Sequence, residues 1–146
     1  MLIYCAVAVV TTSINKVLVL RRQKGRDVGL YECPGGHVDD GEDAVTGVLR
    51  ELQEEAGLKD IPRDKCQMFF TMYDPCEDGV TKSVVSCFHI KLGSVAPEVT
   101  LEHMFDDYQW YDLVNPNPDV VLTKECQILI DRFKQIVMLE DITITK

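Results

Sequence analysis

Basic residues are scarce in this chain: 15 Lys and Arg stand against 24 Asp and Glu, for a formal net charge of −9. That balance works against nonspecific nucleic-acid binding, which needs a basic field to displace counterions from phosphates. No apolar run approaches the roughly 20 residues that a membrane-spanning helix requires. The six cysteines, Cys5, Cys33, Cys66, Cys76, Cys87 and Cys126, show no Cys-x-x-Cys spacing, so a zinc site is unsupported. The N-terminal MLIYCAVAVV is apolar but carries no basic leader; it reads as a buried strand rather than a signal peptide. A cytoplasmic protein with reduced thiols is therefore expected. Repeats, low-complexity segments and linkers are missing as well. The 146 residues are expected to form one domain, 1–146, with a sizeable core.

What is present alternates between strand and helix patterns. Residues 3–11 and 16–22 are Val-rich runs broken at Thr12-Ser13-Ile14-Asn15, a β-hairpin pattern. Tyr31 to Val38 reads as a short strand bent by its glycines, and a helix is expected from about Glu42 to Ala56. Cys66–Tyr73 and Lys82–Lys91 read as strands joined by a turn over 74–79, and a further strand is expected near Tyr108–Asp112. Ile128, Leu129, Phe133, Ile136 and Val137 recur at helical spacing, predicting an amphipathic helix over Thr123–Met138. Ile142-Thr143-Ile144 reads as a strand or a frayed tail. Helices between and after runs of strands suggest an α/β/α sandwich around a mixed sheet.

The segment with chemistry in it is GHVDDGEDAVTGVLRELQEEAGL, Gly36 to Leu58. Glu51, Glu54 and Glu55 fall in a wedge ~100° wide on a helix, beside a roughly 140° apolar stripe of Ala44, Val45, Val48, Leu49, Leu52 and Ala56. Carboxylates crowded at the edge of a buried face repel one another and have raised pKa values unless a cation compensates. Mg²⁺ or Mn²⁺, hard cations that prefer oxygen ligands, are the natural compensators. Arg50 lies four residues before Glu54 and can hold a carboxylate in a bidentate grip. Glu42, half a turn away from the cluster on an ideal helix, reads as structural. Cys33 directly precedes the Pro34-Gly35-Gly36 turn, and packing is its expected role.

Gly36, five residues, Glu42, seven residues and then Arg50-Glu51-Leu52-Gln53-Glu54-Glu55-Ala56-Gly57-Leu58 match the Nudix box at every specified position. The chain resembles a Nudix hydrolase, and the run VLVLRRQKGRDVGLYECPGGHVDDGE looks like that family's approach to its box. The resemblance implies an α/β fold, an α/β/α sandwich with a central mixed sheet. It implies hydrolysis of the pyrophosphate linkage of a nucleoside diphosphate derivative by a metal-activated water. Glu54 and Glu55 would be metal ligands, Glu51 a ligand or the general base, and the Gly35 carbonyl a backbone ligand. Glu102, followed by His103 and later Trp110, matches a late glutamate that approaches the metals or acts as base. Arg50 is counted with Glu51, Glu54 and Glu102 in the catalytic set.

The box binds the diphosphate and leaves the attached group open. Nucleoside triphosphates lead on the compact length and the GLYECPGGHVDDGE run; ADP-ribose, nucleotide sugars and dinucleoside polyphosphates are the alternatives. Arg21, Arg22 and Arg26, with Lys24, form the one local basic patch, which would grip substrate phosphates or stand as a solvated loop. Tyr73 is a candidate platform for a base. Some Nudix-fold domains bind nucleotides without catalysis, but these commonly lose box glutamates, and all four are kept here. The expected partner is a small nucleotide, with no nucleic acid or membrane, and a homodimer is compatible with so small a domain.

Overall fold

Apolar residues on both faces of the first hairpin call for a covering layer on each side of the sheet. In the computed structural model, which describes residues 2–13, 15–75 and 78–139, both layers are present. Strand β1 (Leu2–Ser13) directs Ala6, Ala8 and Val10 to one face and Val9 to the other. Strand β2 (Lys16–Arg22) does the same with Leu18 and Leu20 against Val17 and Val19. Helix α1 (Ala44–Ala56) covers the first face with Val48, Leu52 and Ala56. Helix α2 (Lys124–Phe133) covers the second with Cys126, Leu129, Ile130 and Phe133. The result is the expected α/β/α sandwich. Each fully buried Val or Leu in it contributes ~1.5–3 kcal/mol.

The sheet is mixed. β1 runs parallel to β6 (Lys82–Lys91) from Leu2↔Lys82 to Thr11↔Lys91. β6 pairs antiparallel with β5 (Cys66–Pro75), and β2 pairs antiparallel with β7 (Phe105–Asp112). β1 and β2 touch each other only near the hairpin tip, at Thr11↔Val17 and Ser13↔Lys16. Below the tip they separate, and the gap receives two short strands. β3 (Tyr31–Glu32) pairs with β2, and β4 (Gly35–His37) pairs with β1.

The single bent strand expected over Tyr31–Val38 is thus two strands on different neighbours. Pro34 sits between them, and its carbonyl accepts from Ala8 N at 2.9 Å. A Cβ on Gly35 would lie 2.4 Å from the Ala6 carbonyl, so only glycine lets the turn approach β1 this closely. The expected helix over Thr123–Met138 divides as well. Thr123 caps α2 by accepting from Cys126 N, and a wider π-type turn over Lys134–Met138 continues it. The Ile142–Ile144 segment lies outside the described residues. Among the described residues no helix is long and apolar enough to cross a membrane.

Candidate active site

The box helix has defined ends, and its C-terminal end brings a distant loop to its acidic face. At the start, the Asp43 carboxylate accepts from Thr46 N at 2.7 Å and from Arg63 Nη2 at 2.9 Å. Those bonds, the Thr46 contact first, pull the Asp43 pKa down to about 2. At the end, Gly57 adopts a left-handed φ of 70°, the conformation that terminates helices. The last carbonyls of the helix still need donors. Thr100 N supplies Ala56 O at 2.9 Å, and Glu102 N supplies Glu55 O at 3.1 Å. Capping the helix therefore sets Glu102 beside the box.

Arg50 organises the face that results. Its Nη2 and Nε donate to the two carboxylate oxygens of Glu42 at 2.8 and 3.2 Å. Nη1 reaches Glu51 at 3.1 Å and Glu54 at 3.2 Å, while Nη2 also bonds the His37 carbonyl at 2.9 Å. Holding Glu42 raises the Arg50 pKa further above its ordinary value and lowers that of Glu42. Glu42, expected to be structural, also accepts from Asp39 N at 2.8 Å. It is one part of the clamp that fixes the turn to the helix. Gly36 is packed so tightly here that a Cβ would lie 2.7 Å from a Glu51 carboxylate oxygen.

Glu55 lies outside Arg50's hydrogen-bonding reach. Its Oε1 accepts from Gly35 N at 2.8 Å. Burial is the main cause pushing its pKa up to about 8, with Glu51, Glu32 and Glu102 adding repulsion against the Gly35 hydrogen bond. Glu51 is also raised, first by burial and then by Glu54 and Glu102 against the pull of Arg50. Glu51 is therefore within electrostatic reach of Glu54, Glu55 and Glu102, and Glu55 of Glu102, whereas sequence spacing alone linked only the three on the helix.

Among the described residues no three acidic, histidine or cysteine side chains already converge as a coordination sphere. Glu51 and Glu54 both turn toward Arg50. The donor set nevertheless fits a hard divalent cation. It is all oxygen, it comes from one helix face and its capping loop, and the pKa of its half-buried member, Glu55, is raised first by burial and then by neighbouring carboxylates, against one backbone N–H donor.

A cleft of about 270 Å³ opens between Glu32-Cys33 and the start of α2, lined by Arg22, Arg26, Glu32, Cys33, Met72 and Cys126 among others. Glu32 joins the two regions, since it lines the cleft and also raises Glu55. The basic patch splits across the sheet. Arg22 and Arg26 line the cleft, Arg22 bonding Glu32 at 2.6 Å. Arg21 bonds Asp106 at 2.7 Å and lies over the Tyr31 ring. Tyr73 is 59% exposed on β5 and is not among the cleft residues; its neighbour Met72 is. Glu32, Glu125 and Cys126 gave no sequence signal as site residues, because α2 meets the turn only through long-range pairing.

Residues 2–124 match the family model described as the NUDIX domain. Over 56 residues the chain is 50% identical to an m7GpppN-mRNA hydrolase of Xenopus laevis, covering 36% of this chain and 19% of that protein. Over 51 residues it is 41% identical to an ADP-ribose pyrophosphatase of Methanocaldococcus jannaschii, covering 35% of this chain and 29% of that one. The matches thus span less than a third of either relative's length. A crystal structure of a MutT NUDIX hydrolase from Burkholderia pseudomallei superposes with a TM-score of 0.71 at 20% identity, over 90% of this chain and 98% of that one.

Proposed function

This chain belongs to the NUDIX family, and from that premise we propose that it is a metal-dependent pyrophosphohydrolase of a nucleoside diphosphate derivative. The observation that supports the reading is the electrostatic coupling of Glu51 to Glu54, Glu55 and Glu102, with Glu55 also feeling Glu32, which lines a cleft together with Arg22 and Arg26. Glu51, Glu54, Glu55 and Glu102, with the Gly35 carbonyl, would hold Mg²⁺, or Mn²⁺ in its place. Bound there, the cation would neutralise the diphosphate and acidify a water.

The chain's own groups do the rest. Arg50 orients Glu51 and Glu54, Gly35 N–H orients Glu55, and Arg22 and Arg26 meet the substrate phosphates from the cleft. Glu51 or Glu102 takes the proton from the water that attacks phosphorus, which is general-base catalysis. The leaving group departs as a phosphate or pyrophosphate.

A nucleoside triphosphate, cleaved to monophosphate and pyrophosphate, is the leading substrate on the compact length and the run into the box. The M. jannaschii relative, an ADP-ribose pyrophosphatase, keeps ADP-ribose as the second reading, with nucleotide sugars and dinucleoside polyphosphates beside it. Although the X. laevis relative acts on capped messenger RNA, a net charge of −9 disfavours an RNA strand here. The reading takes a small nucleotide as partner, in the cytoplasm, and is compatible with a homodimer.

The test is a Mg²⁺-dependent hydrolysis screen of canonical and oxidised triphosphates, ADP-ribose, nucleotide sugars and dinucleoside polyphosphates, with products resolved by chromatography. Cleavage of one class names the substrate. Silence across the panel, with nucleotide binding seen by calorimetry, would replace the enzyme by a binding module.

A further inference from the structure

We propose that Cys33 and Cys126 are an oxidation site, closing to a disulfide across the wall of the cleft and thereby switching the catalytic turn. Their sulfurs lie 3.5 Å apart although the residues are 93 positions apart in sequence. Both are buried, and both line the cleft, which is the route by which hydrogen peroxide would reach them. A disulfide needs its sulfurs at ~2.05 Å, an approach of ~1.5 Å.

The backbone around the pair is already fixed. Tyr31 N donates to Val121 O at 2.8 Å, Thr123 N to Tyr31 O at 2.9 Å, and Cys126 N to Thr123 Oγ1 at 3.1 Å. Those bonds hold the start of α2 against the segment that carries Cys33 and keep the two cysteines together.

The chemistry balances with a hydroperoxide as oxidant. One thiolate attacks a peroxide oxygen, giving a sulfenic acid and, after protonation, water. The second sulfur then attacks the sulfenic sulfur, forming the S–S bond and releasing a second water. Two thiols are oxidised and one peroxide is reduced to two waters. The second step is favoured because the resolving thiol is already in contact.

The switch would reach the active site through one residue. Cys33 precedes Pro34, and the next residue, Gly35, donates to Glu55. Drawing Cys33 toward α2 pulls that turn and reshapes the cleft wall, so oxidation lowers turnover.

Fully reduced full-length protein is treated with hydrogen peroxide at mildly alkaline pH, alkylated, and mapped as peptides without reductant. A Cys33–Cys126 linked peptide is expected, together with a higher melting temperature from loop closure. Turnover should fall severalfold and be restored by dithiothreitol. Cys126→Ser, compared with its own untreated form, should keep its activity through the same treatment. Linkage of either residue to Cys87, or Cys33 left unlinked, overturns the site. A linked protein with unchanged turnover overturns the switch. The peptide map and the melt do not depend on any substrate, so they stand or fall separately from the hydrolase reading.

Discussion

Gly35 N–H donates to the Glu55 carboxylate at 2.8 Å, tying the glycine turn to the half-buried box glutamate whose pKa burial pushes up to about 8. The bond crosses from β4 to α1 and couples three things: the fit of the turn against β1, the protonation of Glu55, and the site's readiness for a cation.

The charge state of Glu55 gives a stability signature in metal-free protein. Its folded pKa of about 8 lies above the ~4.3 of an unfolded Glu. The stability tied to its neutral form is fully present below the unfolded value and is lost as pH rises through about 8. Melting temperature in the presence of a chelator should fall between mildly acidic pH and pH 9, and fall less for Glu55→Gln. A parallel decline in the two proteins would contradict the assignment.

Cation binding should displace that proton. Adding Mg²⁺ to weakly buffered metal-free protein near neutral pH is expected to release protons, because a ligating carboxylate must be ionised. Glu55→Gln should release fewer. Calorimetry in buffers of different ionisation enthalpy measures the number released, and equal release from both proteins would exclude Glu55 as the source.

Glu42 and Arg50 should separate stability from turnover. Glu42→Gln weakens the bidentate clamp with Arg50 and removes no expected metal ligand. A lower melting temperature, with a smaller loss of turnover than Glu54→Gln, is the expected pair of results. Arg50→Ala frees Glu51 and Glu54 from their shared cation and should cost both properties. Thermal melts run beside rate assays resolve the two effects.

Asp43 gives a prediction confined to the fold. Its folded pKa of about 2 lies below the unfolded ~3.9. Its contribution is present above the unfolded value and lost as pH falls through about 2. Asp43→Ala should lower the melting temperature at neutral pH and flatten the acid limb of the stability profile, without changing the metal requirement. An unchanged melt would show that the cap adds nothing.

Much of this was legible in the sequence because it is local. The i, i+3, i+4 spacing of Glu51, Glu54 and Glu55 and the stripe Val48, Leu52, Ala56 belong to one helix, and the hairpin of β1 and β2 is nearly continuous in the chain. What escaped depends on pairing across long separations. The division of Tyr31–Val38 between β2 and β4's neighbour β1 follows from the divergence of two strands. Glu102 is picked out only by resemblance, since its position follows from capping a helix that ends about 45 residues earlier in the chain. The cleft wall takes Cys126 from an element 93 residues from Cys33, which no local pattern announces. Tyr73 is marked by its distance from the box, and strand alternation turns its neighbour Met72 to the cleft while Tyr73 lies exposed.

The measurement to make first is the hydrolysis rate of wild type and Glu54→Gln, side by side, across a Mg²⁺ titration on the substrate found in the screen. Wild type should show a saturable Mg²⁺ requirement, and Glu54→Gln should be slower by a factor of about 10²–10⁴ with an unchanged melting temperature. Near-normal turnover by Glu54→Gln in excess Mg²⁺ would mean that the glutamate cluster around Arg50 is not the metal site.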